Sequence, residues 1–335
     1  MKSNRSFKRP TIRSVGEDCD DALFPRCARM RDAARNMLSR EEILDRFEQV
    51  NVWRRGDKRA PHKPLLLLYA LGRCSRREGN EIPYLDVERD VRQLLIDFGP
   101  PSTPRPEMPF WYLQNDDLWF VRDSEHLERR KGRTDPKRSE LLKKNPVGGF
   151  LPEVYDTLSA NEGLLSEVVR SLLSRHFPDS YHRDILAAVG LALENERTIR
   201  RSRDPEFRRK MLRAYGHRCA VCGYDLKLGP SDLGLEAAHI KWHQAGGPDT
   251  ENNGLALCAL HHKLFDRGAF SLADDSRILV SQEVHGSTGL EEVLLAFHGR
   301  HVIDPQSQRY RPSPQFLKWH RGEVFRAPAR DHTTT

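Results

Sequence analysis

Long apolar runs are the first thing this sequence lacks. The longest, residues 65–71, is far too short to cross a bilayer, where about 20 apolar residues are needed. The first ten residues, Met1-Lys2-Ser3-Asn4-Arg5-Ser6-Phe7-Lys8-Arg9-Pro10, carry charges with no apolar stretch behind them. They are read as neither a signal peptide nor a membrane anchor. Cysteine is also scarce, with six in 335 residues, and Cys19, Cys27 and Cys74 are scattered. Nothing in their spacing makes a secreted disulfide framework, so reduced thiols and a cytoplasmic setting are expected. No internal repeat is present. An acidic excess is missing too: 55 Lys and Arg stand against 48 Asp and Glu, a net charge of +7. That balance favours a polyanionic partner over a neutral metabolite.

What is present concentrates in one stretch: Cys219-x-x-Cys222, His239, Asn253 and Cys258-x-x-His261-His262. Paired ligands at these spacings wrap one zinc ion from two turns of chain, so Cys219, Cys222, Cys258 and His261 form a candidate structural Zn2+ site. A closed four-ligand site leaves no position for water or phosphate, so chemistry must come from what the zinc holds in place. His239 follows the apolar lead Leu235-Glu236-Ala237-Ala238, Asn253 ends a turn-prone run, Leu255-Ala256-Leu257 starts a second strand, and a helix begins near Cys258. The expected order is strand, loop, strand, helix. A bare zinc knuckle needs no His239, Asn253 and His262 at compatible spacing. His217, Lys241 and His243 are lesser candidates for DNA contact, with plain surface solvation as the alternative.

On these residues the segment from about 208 to 272 resembles the HNH nuclease family and its ββα-metal fold. The resemblance implies that His239 is the general base, that His262 holds a catalytic Mg2+ or Mn2+, and that Asn253 fixes the loop presenting His239. A neutral imidazole can take a proton from water, and a hard cation stabilises charge on the scissile phosphate. Ala238 stands where many members carry an acidic metal ligand. Either His262 binds the metal with few protein partners, or a carboxylate such as Glu236 or Asp266 helps.

The N-terminal half reads as mainly helical. Residues 1–38 form a basic arm with a short helix possible around Met30. Ser39-Arg40-Glu41-Glu42 is a capping box before a helical pattern through Val50. Pro64 suits the first turn and Gly72 the end of a helix that is apolar on most faces. A third helix is expected over 86–98, a β-hairpin with arms at 110–113 and 118–121, a Gly-Gly turn at 148–149, and further helices over 161–173, 179–193 and 205–215. The basic run 196–203 reads as a linker, with solvated tether and phosphate contact both open. Candidate contact residues are Arg54, Arg55, Lys58, Arg59, His62 and Lys63.

Residues about 40–160 resemble the sulfur-binding domain of phosphorothioate-dependent type IV restriction enzymes, through Arg59-Ala60-Pro61-His62-Lys63-Pro64, Pro109-Phe110-Trp111-Tyr112-Leu113-Gln114-Asn115-Asp116 and Gly148-Gly149-Phe150. That likeness implies that His62 and Lys63 engage the modified phosphate while Met108, Pro109, Val147 and Gly148 line a cavity for sulfur. Met108 and Val147 depart from the aromatic residue and the arginine common at those places. Sulfur loses less than oxygen when moved from water onto a proline ring, because an oxygen there leaves its hydration unpaired at about 1 to 3 kcal/mol.

The expected fold class is therefore α+β: a sulfur-binding-like domain at 39–160 with a small β-hairpin, a helical linker at 161–203, an HNH endonuclease domain with structural zinc at 204–325, and a tail at 326–335. The expected function is a type IV restriction endonuclease acting as a homodimer on double-stranded phosphorothioate DNA. The alternatives are an HNH nuclease selective for methylated bases and a non-catalytic zinc-containing DNA-binding regulator.

Overall fold

In the computed structural model of the protein, which describes residues 37–52, 56–192 and 205–331, Ser39 caps α1 (Arg40–Glu48). Its hydroxyl accepts from the Glu42 amide at 3.1 Å, and the Glu42 carboxylate accepts from the Ser39 amide at 2.7 Å. This reciprocal cap satisfies two donors that have no partner within the helix. The arm before residue 37 with its helix near Met30, Arg54 and Arg55, the run 196–203, and residues 332–335 lie outside the described residues.

The next helix, α2 (His62–Ser75), carries Pro64 in its first turn, where a missing N–H costs nothing. Leu65, Leu66, Leu67 and Leu68 are fully buried, so α2 is the centre of the N-terminal core. After it come α3, a continuous run over 84–98 with a π turn at Val87–Val91, α4 (Glu107–Tyr112), α5 (Arg138–Lys144), α6 (Pro152–Ala160), α7 (Glu162–His176) and α8 (Asp179–Ala188). Three short strands, β1 (Ile82–Pro83), β2 (Trp119–Val121) and β3 (Val147–Phe150), form an antiparallel sheet with β3 in the middle. The apolar faces of α7 and α8 belong to the same core as α2.

Three sequence expectations are corrected here. The hairpin over 110–121 does not form: its first arm is α4, and β2 pairs with β3, Trp119 opposite Phe150. Pro109 explains the change, because it lies in the first turn of α4, where its missing donor is harmless, whereas a strand would lose a ladder bond. Phe110 and Trp111 are also both buried, unlike the alternation of a half-buried strand. Gly148 and Gly149 are not a turn but part of β3. A Cβ on Gly148 would stand 2.8 Å from the Phe110 ring and 2.9 Å from the Trp119 indole nitrogen. Gly72, expected at a helix end, lies inside α2, where a Cβ would meet the Val189 carbonyl oxygen at 2.2 Å. Its missing side chain lets the C-terminal cap of α8 rest on the α2 backbone.

The C-terminal part begins with α9 (Pro205–Ala214) and a ribbon of β4 (Lys227–Leu228) and β5 (Ser231–Asp232). Then β6 (Leu235–His239) pairs antiparallel with β7 (Gly254–Cys258), from Leu235 opposite Cys258 to His239 opposite Gly254. The helix α10 (Ala259–Asp266) follows directly, completing the strand, loop, strand, helix order. A second pair, β8 (Phe270–Leu272) and β9 (Ile278–Val280), and the helices α11 (Thr288–Val293) and α12 (Pro314–Glu323) complete the part. Its core is separate, built on Phe207, Met211, Leu255, Phe265 and Leu317 among others. The α+β class holds for the whole described chain. Among the described residues no helix is long and apolar enough to cross a membrane.

Aromatic side chains join the two parts. Trp242 and Trp319 pack with the N-terminal core. The Trp242 ring meets Tyr181 at 5.3 Å and Trp319 at 5.9 Å, both edge to face, and the Arg59 guanidinium lies 4.0 Å over it.

His320, on α12, is fully buried, stacked on Phe265, with Nε2 3.1 Å from the Phe265 carbonyl oxygen and Nδ1 2.8 Å from the Ser271 hydroxyl. Burial pushes its pKa down to about 3, so it folds as a neutral ring. The unfolded chain takes up a proton near pH 6.5 that the folded chain refuses. Stability from this group is therefore complete above pH 6.5 and is lost as pH falls toward 3, at up to about 1.4 kcal/mol per pH unit. Thermal melts from pH 7 to 4 are expected to show that slope, and His320→Gln should flatten it. Equal slopes in both proteins would remove His320 as the cause.

Candidate active site

The β6–β7 register puts His239 at the end of its strand, opposite Gly254. A Cβ on Gly254 would meet Met211 at 2.8 Å and Phe207 at 2.9 Å, so glycine lets α9 close onto the hairpin. Phe207 thereby stacks on the His239 ring at 4.1 Å and 12°. The Nε2 atom of His239 lies 2.6 Å from Asp249 Oδ1. Asn253 is fully buried: its Oδ1 accepts from the Lys241 amide at 2.8 Å, and its Nδ2 donates to the Lys241 and Pro248 carbonyls at 3.0 and 2.9 Å. One side-chain amide thus clamps both ends of the loop between β6 and β7, the loop that carries Asp249.

His262 lies on the first turn of α10 and is 3% exposed. Its Nδ1 is 2.5 Å from Glu236 Oε2, and its Nε2 is 3.2 Å from Asp266 Oδ2. The two carboxylates differ: the Glu236 side chain is 39% exposed and that of Asp266 is 2% exposed. Glu236 faces the open side of the ring, and Asp266 backs it.

Next to His262, His261 points elsewhere. The ligand atoms of Cys219, Cys222, Cys258 and His261 all lie within 4.8 Å of one another. His261 Nδ1 is 3.6 Å from Cys219 Sγ and 3.1 Å from Cys258 Sγ, spacings compatible with a tetrahedral ion bonded at about 2.3 Å to sulfur and about 2.0 Å to nitrogen. The other ring nitrogen, Nε2, lies 2.8 Å from the Val293 carbonyl oxygen. It donates there, which turns the Nδ1 lone pair toward the sulfurs. The donor set fits zinc.

In the N-terminal part, His62 and Lys63 open α2, Met108 and Pro109 lie in the first turn of α4, and Val147 and Gly148 begin β3. Lys63 is ion-paired with Asp116. Burial, and then the charge of Arg105, lower the pKa of His62, so it is neutral at pH 7. Gly148 packs on Phe110, the residue after Pro109. Arg59 is not brought to this group. Its guanidinium donates to the Glu323 carbonyl at 2.9 Å and the Phe98 carbonyl at 2.8 Å, over Trp242, and burial pushes its pKa down to about 10.

Residues 40–194 match the family of ScoMcrA-like DNA sulfur-binding domains, and residues 219–273 match the HNH endonuclease family. The chain joins a DNA sulfur-binding domain to an HNH endonuclease domain. Among solved structures it is similar to the sulfur-binding domain of ScoMcrA complexed with phosphorothioated DNA, at 25% identity over 44% of this chain and 94% of that one, TM-score 0.39. It is also similar to the type IV phosphorothioation-dependent restriction endonuclease ScoMcrA, at 26% identity over 44% of this chain and 32% of that one, TM-score 0.41. The modification-dependent TagI restriction endonuclease matches at 26% identity over 40% of this chain and 41% of that one, TM-score 0.26. The chain thus spans about a third of the length of the ScoMcrA enzyme. No curated protein matches it significantly.

The sulfur-binding match extends to residue 194, through α7 and α8. In the HNH domain the residues that sequence reasoning missed are Asp249, Phe207 and Trp242. Asp249 sits in the Gly-Gly-Pro-Asp turn, a signal that was there to be read. Phe207 and Trp242 carry no local signal, because each gains its role from a contact across the fold.

Proposed function

We propose that this chain is a type IV restriction endonuclease that binds phosphorothioate DNA through its sulfur-binding domain and hydrolyses nearby phosphodiester bonds with its HNH domain. The reading is carried by one combination: a match to the sulfur-binding family and the His239, Asn253 and His262 constellation in the same chain. In the cutting step, Asp249 on Nε2 makes that nitrogen the donor and places the basic lone pair of the neutral His239 ring on Nδ1. Nδ1 takes a proton as water attacks phosphorus, the P–O3′ bond breaks, and the leaving O3′ takes up a proton from solvent water, so that a 3′-hydroxyl and a 5′-phosphate remain. Asn253 holds the loop so that Asp249 and His239 stay in register. His262 and Glu236 would hold Mg2+ or Mn2+, with Asp266 orienting His262 from behind. That ion supplies charge stabilisation at the scissile phosphate. Cys219, Cys222, Cys258 and His261 hold structural zinc. Among the described residues each chain has one such centre, so cutting both strands calls for a homodimer.

On the reading side, His62 and Lys63 meet the modified phosphate, and Met108, Pro109, Val147 and Gly148 form the apolar seat for sulfur. A methylated-base reader needs an aromatic sandwich for a flipped base; of the candidates Trp111, Tyr112 and Trp119, the two tryptophans are buried in the core and Tyr112 is half-buried, with its hydroxyl 3.1 Å from Asp135.

The test is a titration of catalytically silenced His239→Ala protein against one duplex in three forms: unmodified, Rp-phosphorothioate and cytosine-methylated. The sulfur form is expected to bind tighter by about 5- to 150-fold, the equivalent of about 1 to 3 kcal/mol. Pro109→Ser should shrink that ratio while leaving affinity for plain DNA in place. Equal binding of all three duplexes would reduce the N-terminal domain to a general DNA clamp.

A further inference from the structure

Asp266, the carboxylate behind His262 in the HNH domain, is held by residues of the other domain. Ser180, in the first turn of α8, donates its hydroxyl to Asp266 Oδ2, the oxygen that faces His262 Nε2 at 3.2 Å. The neighbouring Tyr181 donates to the Asp266 main-chain carbonyl at 2.7 Å. Burial raises the pKa of the Tyr181 phenol, so it stays a donor. Asp266 is 1% exposed, so it has little water to fix its carboxylate. Ser180 and Tyr181 lie within the sulfur-binding match and Asp266 within the HNH match.

The contact is seated firmly on both sides. Tyr181 packs edge to face on Trp242 at 5.3 Å. Arg267, next to Asp266, lies 4.7 Å over both the Phe98 and Tyr181 rings and donates to Asp184 of α8 at 3.0 Å. A carboxylate behind a metal-binding histidine fixes the ring only if the carboxylate is itself held. Here one of its holders comes from the DNA-reading domain.

We propose that Ser180 is a positioning residue for the hydrolytic centre: the sulfur-binding domain fixes Asp266, Asp266 fixes the His262 ring, and the HNH domain is fully competent only with α8 docked against it. The inference rests on the reading of His262 as the ligand of the catalytic ion. It places part of the nuclease site's support in the domain that recognises the modification, so the two activities are linked by a hydrogen bond and not only by a tether.

The test uses the full chain with Ser180→Ala and Ser180→Thr. Mn2+ binding is read without DNA from the paramagnetic resonance signal of the free ion. Single-turnover cleavage of a phosphorothioate duplex is then followed against Mn2+ concentration. Ser180→Ala is expected to weaken Mn2+ binding and raise the half-activating concentration about 10-fold or more, with DNA affinity and zinc content unchanged. Ser180→Thr, which keeps the hydroxyl, should recover most of both. Mn2+ affinity and cleavage within twofold of the unaltered protein would overturn the proposal. So would a joint loss of DNA and Mn2+ affinity that Thr does not rescue, since that marks a general structural role. His262→Ala run alongside separates the layers. If it still binds Mn2+ and cuts, the reading of the centre has failed; if it is dead while Ser180→Ala is normal, only the present inference has.

Discussion

His239→Ala should cut phosphorothioate DNA at least about 100-fold, and up to about 10,000-fold, more slowly than the unaltered protein, the range that a positioned acid–base group contributes. Its affinity for the same duplex should change by no more than about twofold. The separation follows from location. His239 is at the tip of β6 in the HNH domain, held by a ring stack with Phe207 and a 2.6 Å contact to Asp249, while the proposed sulfur seat is built on α2, α4 and β3 of the other domain. Removing the imidazole takes away the proposed proton acceptor and should leave the Asn253 clamp on the loop intact. Single-turnover cleavage and equilibrium binding, measured on one duplex, check both halves. Retained nicking would take the base role away from His239, and a parallel loss of binding would mean that the loop contacts DNA directly.

Cys219→Ser should act through folding. The protein is expected to carry one zinc per chain, and the variant none. The melting transition of the HNH domain should fall by tens of degrees or disappear, because a structural zinc site in small domains supplies about 10 kcal/mol or more of folding free energy. The knuckle is stitched into the domain at several points: the Ala220 amide donates to the Ala256 carbonyl of β7 at 2.7 Å, and Cys258 caps α10, its Sγ accepting from the His261 amide at 3.5 Å. Loss of an ion held there would therefore loosen the strand pair and the helix that carries His262. Zinc content by elemental analysis with thermal denaturation decides it. An unchanged melt with no bound zinc would leave the four side chains as an ordinary packed cluster.

Local features of the fold were legible in the sequence. The Ser39–Glu42 box, the strand order around His239 and the paired ligands of the zinc cluster each depend on residues a few positions apart, where spacing alone fixes geometry. The hairpin over 110–121 was misread because an aromatic run was weighted above Pro109, which suits a helix start better than a strand. Gly72 and Gly148 look like punctuation in the sequence, yet both are demanded by close approach of distant atoms. Beyond that range the sequence is silent. Ser180 and Asp266 are 86 residues apart, and Arg59 meets Trp242 from the far side of the chain. No periodicity connects such pairs. Arg59 shows the limit most plainly: in a basic stretch it reads as a phosphate contact, whereas its guanidinium is taken up by two carbonyls and an indole face.

The bare backbone at Gly72 reaches further than its place in the N-terminal core suggests. The helix α8 has ten residues, about 15 Å at 1.5 Å per residue. Its C-terminal cap, Val189, lies against Gly72, and its opposite end carries Ser180 and Tyr181. A single methyl group at position 72 would stand 2.2 Å from the Val189 oxygen, where ordinary contact begins near 3.4 Å, and one end of the helix would have to lift by more than an ångström. The strain would fall on the helix whose other end presents the Ser180 and Tyr181 hydroxyls to Asp266. A glycine that resembles a helix stop in the sequence is thus a packing constraint on the helix that touches Asp266 from the N-terminal side.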